Sequence, residues 1–395
     1  MRRIILAILT FAFCHLWAEV KVEKVLETTS VKKYNQWVKK NKAKYPGLKP
    51  YYLKTECIKW GKEWKVYYYN EDGNLRKEEL LKAKPGWWLY VSGESFLGKV
   101  VVTESDSFLG ESSPIIYTIK NEEGKKMFSF EWGFDYETGK GVYALPNGIG
   151  LFRSNSLENY AEILTWDGKI IGRIDGFLRL DAYSSAEMLS IASPDNKFML
   201  LSGGGTTVYI KDGKEIWRKT SPSGRLSISN DGEYVSIGAN AELYGTIYLY
   251  NYNGELIYSY KFPDKSRGIP TSKFSSDNKY LVAEFGEQKS LLNNITGEPL
   301  WLKKCEGTIV SFAKNNEYIT FVDIKAQKIY IYNTLGNLQD TINAPYGEDI
   351  KKKRTKEGEI IESKVLYSNW TCEVFDDLII TNSGREWHPI IYKIK

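Results

Sequence analysis

A short strand, a polar turn holding one glycine, and a second short strand recur along this chain of 395 residues. The copies read YYYNEDGNL, YTIKNEEGKKM, LTWDGKII, YIKDGKEIW, YNYNGELIY, NNITGEPLW and YNTLGNLQD. Their glycines are Gly73, Gly124, Gly168, Gly213, Gly254, Gly297 and Gly336, at successive spacings of 51, 44, 45, 41, 43 and 39. A hairpin repeated at a nearly constant interval near forty residues, in strand-forming sequence, fits the four-stranded blades of a β-propeller. Each blade buries its faces against its neighbours, so one ring absorbs a length that otherwise splits into domains.

A second recurring element completes the blade. SPDNKFMLL, SNDGEYVSI, SSDNKYLVA and AKNNEYITF each hold a polar turn: Asp195-Asn196, Asp231-Gly232, Asp277-Asn278 and Asn315-Asn316. Asn and Asp favour such turns because they tolerate left-handed backbone and bond to it locally. Each repeat reads as strand a, Asp/Asn turn, strand b, variable loop, strand c, Gly turn, strand d. The variable b–c loops include ESDSFLGESS, SGGGTT, GANAELYG and FGEQKS.

The fold class is therefore all-β: a single propeller of four-stranded blades. Seven Gly turns plus one blade completed at the termini give eight blades. Seven is the alternative if Tyr51 to Leu81, where strands a and b are poorly marked, forms only an edge hairpin. The C-terminal DDLIITNSGREWHPIIYKIK reads as strands b and c with no strand d after them. VKVEKVL, near the N-terminus, reads as a strand without a hairpin partner, and it is expected to fill the missing place. That closure leaves no bare edge at the seam.

Three segments interrupt the repeat. Residues 1–18 begin with Arg2 and Arg3, continue with an apolar run from Ile4 to Phe13, and end at Ala18 with Leu16 at the −3 position. This is the pattern of a secretory signal peptide, and the run is too short for a stable membrane span. Cys14 follows Phe13, where a lipoprotein signal wants a small residue, so lipidation is disfavoured. Residues 19–50 hold the closing strand and SVKKYNQWVKKNKAKYPG, whose Val31, Tyr34, Trp37, Val38 and Tyr45 give a partial helical stripe ended by Pro46-Gly47. A short helix lying on the ring is expected there, its lysines on the solvated face. Residues 51–395 are the propeller. Within its last blade, IKKKRTKEGE (Ile350 to Glu359) reads as a mixed-charge surface loop.

The Gly turns resemble repeats of the pyrroloquinoline-quinone-like propeller superfamily, in which TG or DG is followed three or four residues later by Trp. TGEPLW (Thr296 to Trp301) and DGKEIW (Asp212 to Trp217) have that form. SNDGEYV and SSDNKYL are similar to the SPDGKYL element of WD40- and YVTN-type propellers. The resemblance is clearest from Arg179 to Thr341. It implies architecture and not chemistry. Quinoprotein dehydrogenases of this superfamily hold the quinone and a calcium ion on the ring axis, many beside two adjacent cysteines. This sequence has no such pair and no recognisable calcium constellation. Trp166-Asp167 is a lone WD dipeptide with no GH partner.

Chemistry-bearing residues are sparse. The formal net charge of +5 falls to +3 without Arg2 and Arg3, too mild for a dedicated nucleic-acid binder. After signal cleavage His388, in the loop GREWHP, is the one histidine, which rules out a multi-histidine metal site. Cys57, Cys305 and Cys372 are odd in number; they read as buried thiols, with a Cys57–Cys372 bridge across the ring closure as the alternative. Glu104, Asp106, Glu111, Glu242, Glu287 and Asp323 are loop carboxylates of the kind a propeller glycosidase uses. SGGGTT (Ser202 to Thr207) lacks the GK[ST] ending of a phosphate-binding loop and enters a strand instead of a helix. The 28 Tyr, 16 Phe and 12 Trp mostly serve blade packing. In Trp87-Trp88 the two rings point to opposite faces of a strand, so one is a candidate to stack on a ligand.

These readings converge on an exported, monomeric, non-catalytic propeller that acts as a binding scaffold in the periplasm or outside the cell. No cofactor, metal, nucleic acid or transmembrane segment is expected. The expected contacts lie on the face bearing the b–c and d–a loops: Trp88, Gly203, Gly204, Arg225 and Arg267, against a partner protein or acidic ligand. The alternatives are a quinone-dependent or carboxylate-based glycan-active enzyme, and an outer-membrane assembly factor.

Overall fold

A computed structural model describes residues 20–94, 98–105, 114–133, 141–144, 150–155, 160–175, 189–192, 197–203, 206–220, 224–241, 244–266, 268–343, 348–354, 360–366, 371–382 and 389–395. Apart from one helix, α1 (Val31–Asn41), the described elements are strands, and the fold is a β-propeller. The signal peptide read in residues 1–18 and the histidine His388 lie outside the described residues.

The chain forms two compact units, residues 28–304 and residues 305–395 with the N-terminal 27. The first unit opens with α1 and a three-stranded meander of β2 (Leu53–Lys59), β3 (Glu63–Tyr69) and β4 (Leu75–Lys82). Next comes a four-stranded blade of β5 (Trp88–Glu94), β6 (Lys99–Ser105), β7 (Pro114–Lys120) and β8 (Lys126–Gly133). Four-stranded antiparallel blades at 141–175, 189–220, 225–261 and 271–304 complete the unit. In the second unit a blade spans 308–343, a hairpin spans 348–366, and the last blade spans 371–394. Its outer strand is β1 (Val22–Glu27), which lies antiparallel to Pro389–Ile394 with Val22 opposite Ile394. The N-terminal strand thus supplies strand d of the last blade, as the sequence required.

Among the described residues seven sheets have four strands and the segment from Leu53 to Lys82 has three, so the count is the alternative of seven four-stranded blades and not the favoured eight. The turn at Gly73 matches the c–d turns elsewhere, so β2, β3 and β4 are strands b, c and d. Strand a is not made. The residues ahead of β2 end α1 and then carry Pro46-Gly47 and Pro50, and proline removes a ladder donor. The sheet still packs as a blade: Leu53, Trp64, Val66 and Tyr68 share a core with Leu89, Val91, Val100 and Val102. A second correction concerns residues 350–359. Ile350 to Arg354 is not loop but belongs to the strand Glu348–Arg354, paired with Ile360–Leu366.

The repeated turns share one chemistry. In five of the c–d turns the glycine N–H donates to the carbonyl three residues earlier, for example Gly124 to Asn121 and Gly254 to Asn251, both at 2.9 Å, and Gly297 donates to the Asn293 carbonyl four residues earlier. The asparagine side chain then accepts the N–H four residues ahead of it: Asn74 to Asn70, Lys125 to Asn121, Glu255 to Asn251 and Asn337 to Asn333, at 2.8–2.9 Å. A register shift falls just before each such turn, as in a hairpin closed by a bulge with glycine in the left-handed region.

These glycines also dock blade on blade. From Gly73 to Gly254, the residue four places after each glycine lies against the next turn. A Cβ on Gly168 would stand 3.0 Å from Phe128, on Gly254 2.9 Å from Trp217, and on Gly297 2.6 Å from Tyr258. Where that residue is Gly172, the next turn comes so close that a Cβ would stand 2.7 Å from the Gly213 carbonyl oxygen. The Trp of DGKEIW is therefore a docking residue: Trp217 stacks on Tyr209 at 5.4 Å, and its Nε1 donates to the Tyr252 carbonyl.

Candidate binding face

In each meander the b–c and d–a connections lie at one end of the strands, and the a–b and c–d turns at the other. The β2–β3 turn is a b–c turn, and β5 begins at the same end. Around it the sequence KWGKEW and the pair Trp87-Trp88 come together. Gly61 has a φ of +68°, and its carbonyl accepts the Leu89 N–H at 2.9 Å. Trp88 lies on this glycine so closely that a Cβ there would stand 2.1 Å from the ring. Lys62 Nζ sits 5.0 Å from the centre of the Trp88 ring and donates to the Trp87 carbonyl at 2.7 Å. Trp88 is thus half-buried and packed.

The exposed aromatic surface lies beside it. Trp60 is 62% exposed and Tyr90 49%, while Trp64 is 8% exposed and donates from Nε1 to the Leu89 carbonyl. Ring centres are 6.2 Å apart for Trp60 and Tyr90, 6.3 Å for Trp60 and Trp64, and 5.5 Å for Trp64 and Tyr90. The two closer contacts to Tyr90 are edge-to-face, a favoured geometry between ring quadrupoles. Lys84 stands 4.7 Å from the Trp87 ring. A cluster of exposed aromatic rings can take an apolar or aromatic side chain, and the lysines over Trp87 and Trp88 offer ammonium groups on the same segment.

Sequence reasoning missed Trp60, Trp64 and Tyr90. Their signal was present: two tryptophans flank the glycine of a b–c turn, and Tyr90 lies two residues beyond Trp88 on the same face of a strand. The other expected contacts are dispersed among further blades. Gly203 closes Phe198–Gly203 opposite Thr206. Arg225 is exposed at the first position of Arg225–Ile228, opposite Gly238. Both occupy the b–c and d–a end of their sheets. Gly204 and Arg267 lie outside the described residues.

Among the carboxylates, Glu104 lies 3.9 Å from Lys84, and Asp323 accepts the Ala326 N–H within its own turn. Glu287 is an exposed turn residue. Asp106, Glu111 and Glu242 are outside the described residues. No disulfide joins Cys57 to Cys372, and Cys57 is exposed, which corrects the expectation of three buried thiols; Cys305 is buried and Cys372 partly so. Burial raises the thiol pKa of Cys57, and that of Cys372 is pushed up to about 12 by burial and by Glu373. In the second unit an open cleft of about 460 Å³ is lined by Lys24, Glu27, Gln327, Asn343 and Tyr392 among others. No helix among the described residues is long and apolar enough to cross a membrane.

No protein-family profile matches the chain, and no curated protein matches it in sequence. Solved structures do match in fold. BamB from Moraxella catarrhalis aligns over 95% of this chain and 98% of its own, at 10% identity and a TM-score of 0.51. Sqt1 from Saccharomyces cerevisiae aligns over 85% and 91%, at 11% identity and 0.47. The Cps50 (Swd1) propeller domain from Myceliophteria thermophila aligns over 78% and 97%, at 11% identity and 0.41. At 10% identity the likeness to the BamB structure concerns the fold alone.

Proposed function

We propose that this chain is an exported, non-catalytic β-propeller that binds a partner protein in the cell envelope. The binding end is the one bearing the b–c and d–a connections. The observation that carries this reading is the platform of Trp60, Trp64 and Tyr90. Two of its three rings stay largely exposed although they could pack, and exposed aromatic clusters mark interaction sites. Arg225 and Gly203, at that end of their blades, are further contacts for acidic groups of the partner, and Arg267 and Gly204 are proposed with them on sequence alone. Export rests on residues 1–18, and the envelope assignment follows from it.

The test compares wild-type protein with a Trp60→Ser/Tyr90→Ser variant as baits against envelope extract from the native host. Both side chains are exposed, so the variant should retain the melting temperature. The expected result is one partner held by the wild type in stoichiometric amount and lost from the variant. Equal recovery by both baits overturns the platform as the binding surface. A mature N-terminus at Glu19 in the exported fraction is the matching result for localisation.

A further inference from the structure

We infer that the free edge of β2 is a docking strand for an extended segment of a partner polypeptide, which takes the place of the missing strand a. The inference deepens the proposed function and rests on it. In the blades with described burial, strand b is deeply buried: Tyr280–Phe285 has five consecutive buried residues and Tyr318–Asp323 four. β2 departs from this. Only Leu53 is fully buried, and Glu56 to Lys59 are exposed, with Ile58 50% exposed.

The backbone geometry says which groups are on offer. Tyr69 N–H donates to the Tyr52 carbonyl, and Leu53 stands opposite Tyr68. In an antiparallel ladder, bonded and non-bonded positions alternate. The main-chain groups of Tyr52, Lys54 and Glu56 therefore face β3. Those of Leu53, Thr55 and Cys57 face away from it, and β2 has no second partner among the described residues. A bulge between Cys57 and Lys59 ends the ladder, so the open row is short. Such a row of unpaired N–H and C=O groups is a template for another strand.

Chemistry at the end of the row specifies the occupant. Beyond Cys57 the strand runs into Lys59, exposed and without an ion pair among the described residues, and then into the Trp60 platform. The complement is a peptide segment antiparallel to β2, as strand a is to strand b in every other blade, carrying an apolar side chain for Trp60 and a carboxylate for Lys59. A small ligand satisfies the platform but not the row of backbone groups.

The test uses full-length protein and a fluorescein-labelled peptide that copies Thr308–Ala313, an inner strand of this chain, extended by one glutamate. Three measurements are made: polarisation with wild type, polarisation with Thr55→Pro, and the rate of Cys57 alkylation with and without peptide. Thr55→Pro removes an outward N–H and leaves the bonds to β3. Expected are saturable binding, at least tenfold weaker binding by T55P, and several-fold slower alkylation of Cys57 in the presence of peptide. Should T55P not fold, a peptide N-methylated at alternate residues asks the same question with the protein unchanged. Equal binding by T55P, or by the N-methylated peptide, overturns the inference. So do the absence of binding and a Cys57 unreactive in the peptide-free protein, which would mean the edge is already covered. If the peptide fails while partner capture still depends on Trp60 and Tyr90, only the edge is wrong. If capture fails as well, the binding reading falls with it.

Discussion

At the residue scale, the repeat glycines answer to two constraints at once. Gly254 has a φ of +81°, and the Trp217 ring covers the side where a Cβ would go. Gly86 has the same φ of +81° with no atom within 4 Å of its Cβ position. The pair separates backbone strain from loss of docking. Gly86→Ala should cost about 1 kcal/mol, the left-handed penalty alone. Gly254→Ala adds displacement of Trp217, and should cost about 3 kcal/mol in total. Urea denaturation of the two variants reads the difference, and equal midpoints would mean that Trp217 moves aside freely. A second residue-scale prediction concerns the buried pair of Lys289 and Glu284, 3.4 Å apart, with Lys289 also donating to the Gly286 carbonyl. Lys289→Met takes the buried cation from the Glu284 carboxylate, which also accepts from Thr271, and should cost about 3 kcal/mol. Adding Glu284→Gln should recover most of that loss in the same denaturation assay.

At the scale of elements, α1 takes the N-terminal flank of an incomplete sheet. Ser30 caps it, and Val31, Tyr34 and Val38 are buried. Between them Asn35, fully buried, donates to the Tyr51 and Asn70 carbonyls and accepts the Tyr51 N–H at 2.7 Å. Asn35→Ala removes its three hydrogen bonds to the backbone of Tyr51 and Asn70, and should cost about 2 kcal/mol. Faster amide exchange across residues 31–41, with unchanged exchange in the blade at 271–304, is the expected local result; no change would mean that the apolar stripe alone holds the helix. The helix was legible because its apolar period is local, and so was strand d at the N-terminus, because a strand without a hairpin partner demands one. Asn35 was not legible, since its partners lie 16 and 35 residues away. The absence of strand a was only half legible. Pro46-Gly47 and Pro50 argued against a strand, but the length of the segment allowed a whole blade. Trp88 drew notice because two tryptophans adjoin in sequence, whereas Trp60 and Tyr90 meet only through the pairing of β2 with β3 and the packing of β5 beside them.

At the scale of the whole molecule, both ends of the chain meet in one sheet, so the last blade depends on a strand encoded hundreds of residues from its partners. β1 pairs along Pro389–Ile394, Lys395 N–H donates to the Lys21 carbonyl, and Lys395 forms an exposed ion pair with Glu23. Val20 is buried in the core that Ile379, Ile390, Tyr392 and Ile394 share with Ile329, Ile331 and Ile342 of the neighbouring blade. That blade is bound to the last one at its turn as well, where Lys314 and Asn315 N–H groups donate to Asp376. A chain starting at residue 28 loses the burial of Val20 and the whole β1 ladder, and bares the edge of Pro389–Ile394. Burial of one valine contributes about 2 kcal/mol, and the ladder adds to it, so a chain of 28–395 should melt several degrees below one of 19–395. A bare edge also invites association between copies, so the shorter chain should sediment in part as dimers or larger species. A synthetic peptide of residues 19–29, added in excess, should restore both the melting temperature and the monomer, by binding the folded form and not the unfolded one. Equal melting temperatures for the two chains, or a shorter chain that the peptide cannot rescue, would show that the last blade holds with three strands, as the Leu53–Lys82 sheet does.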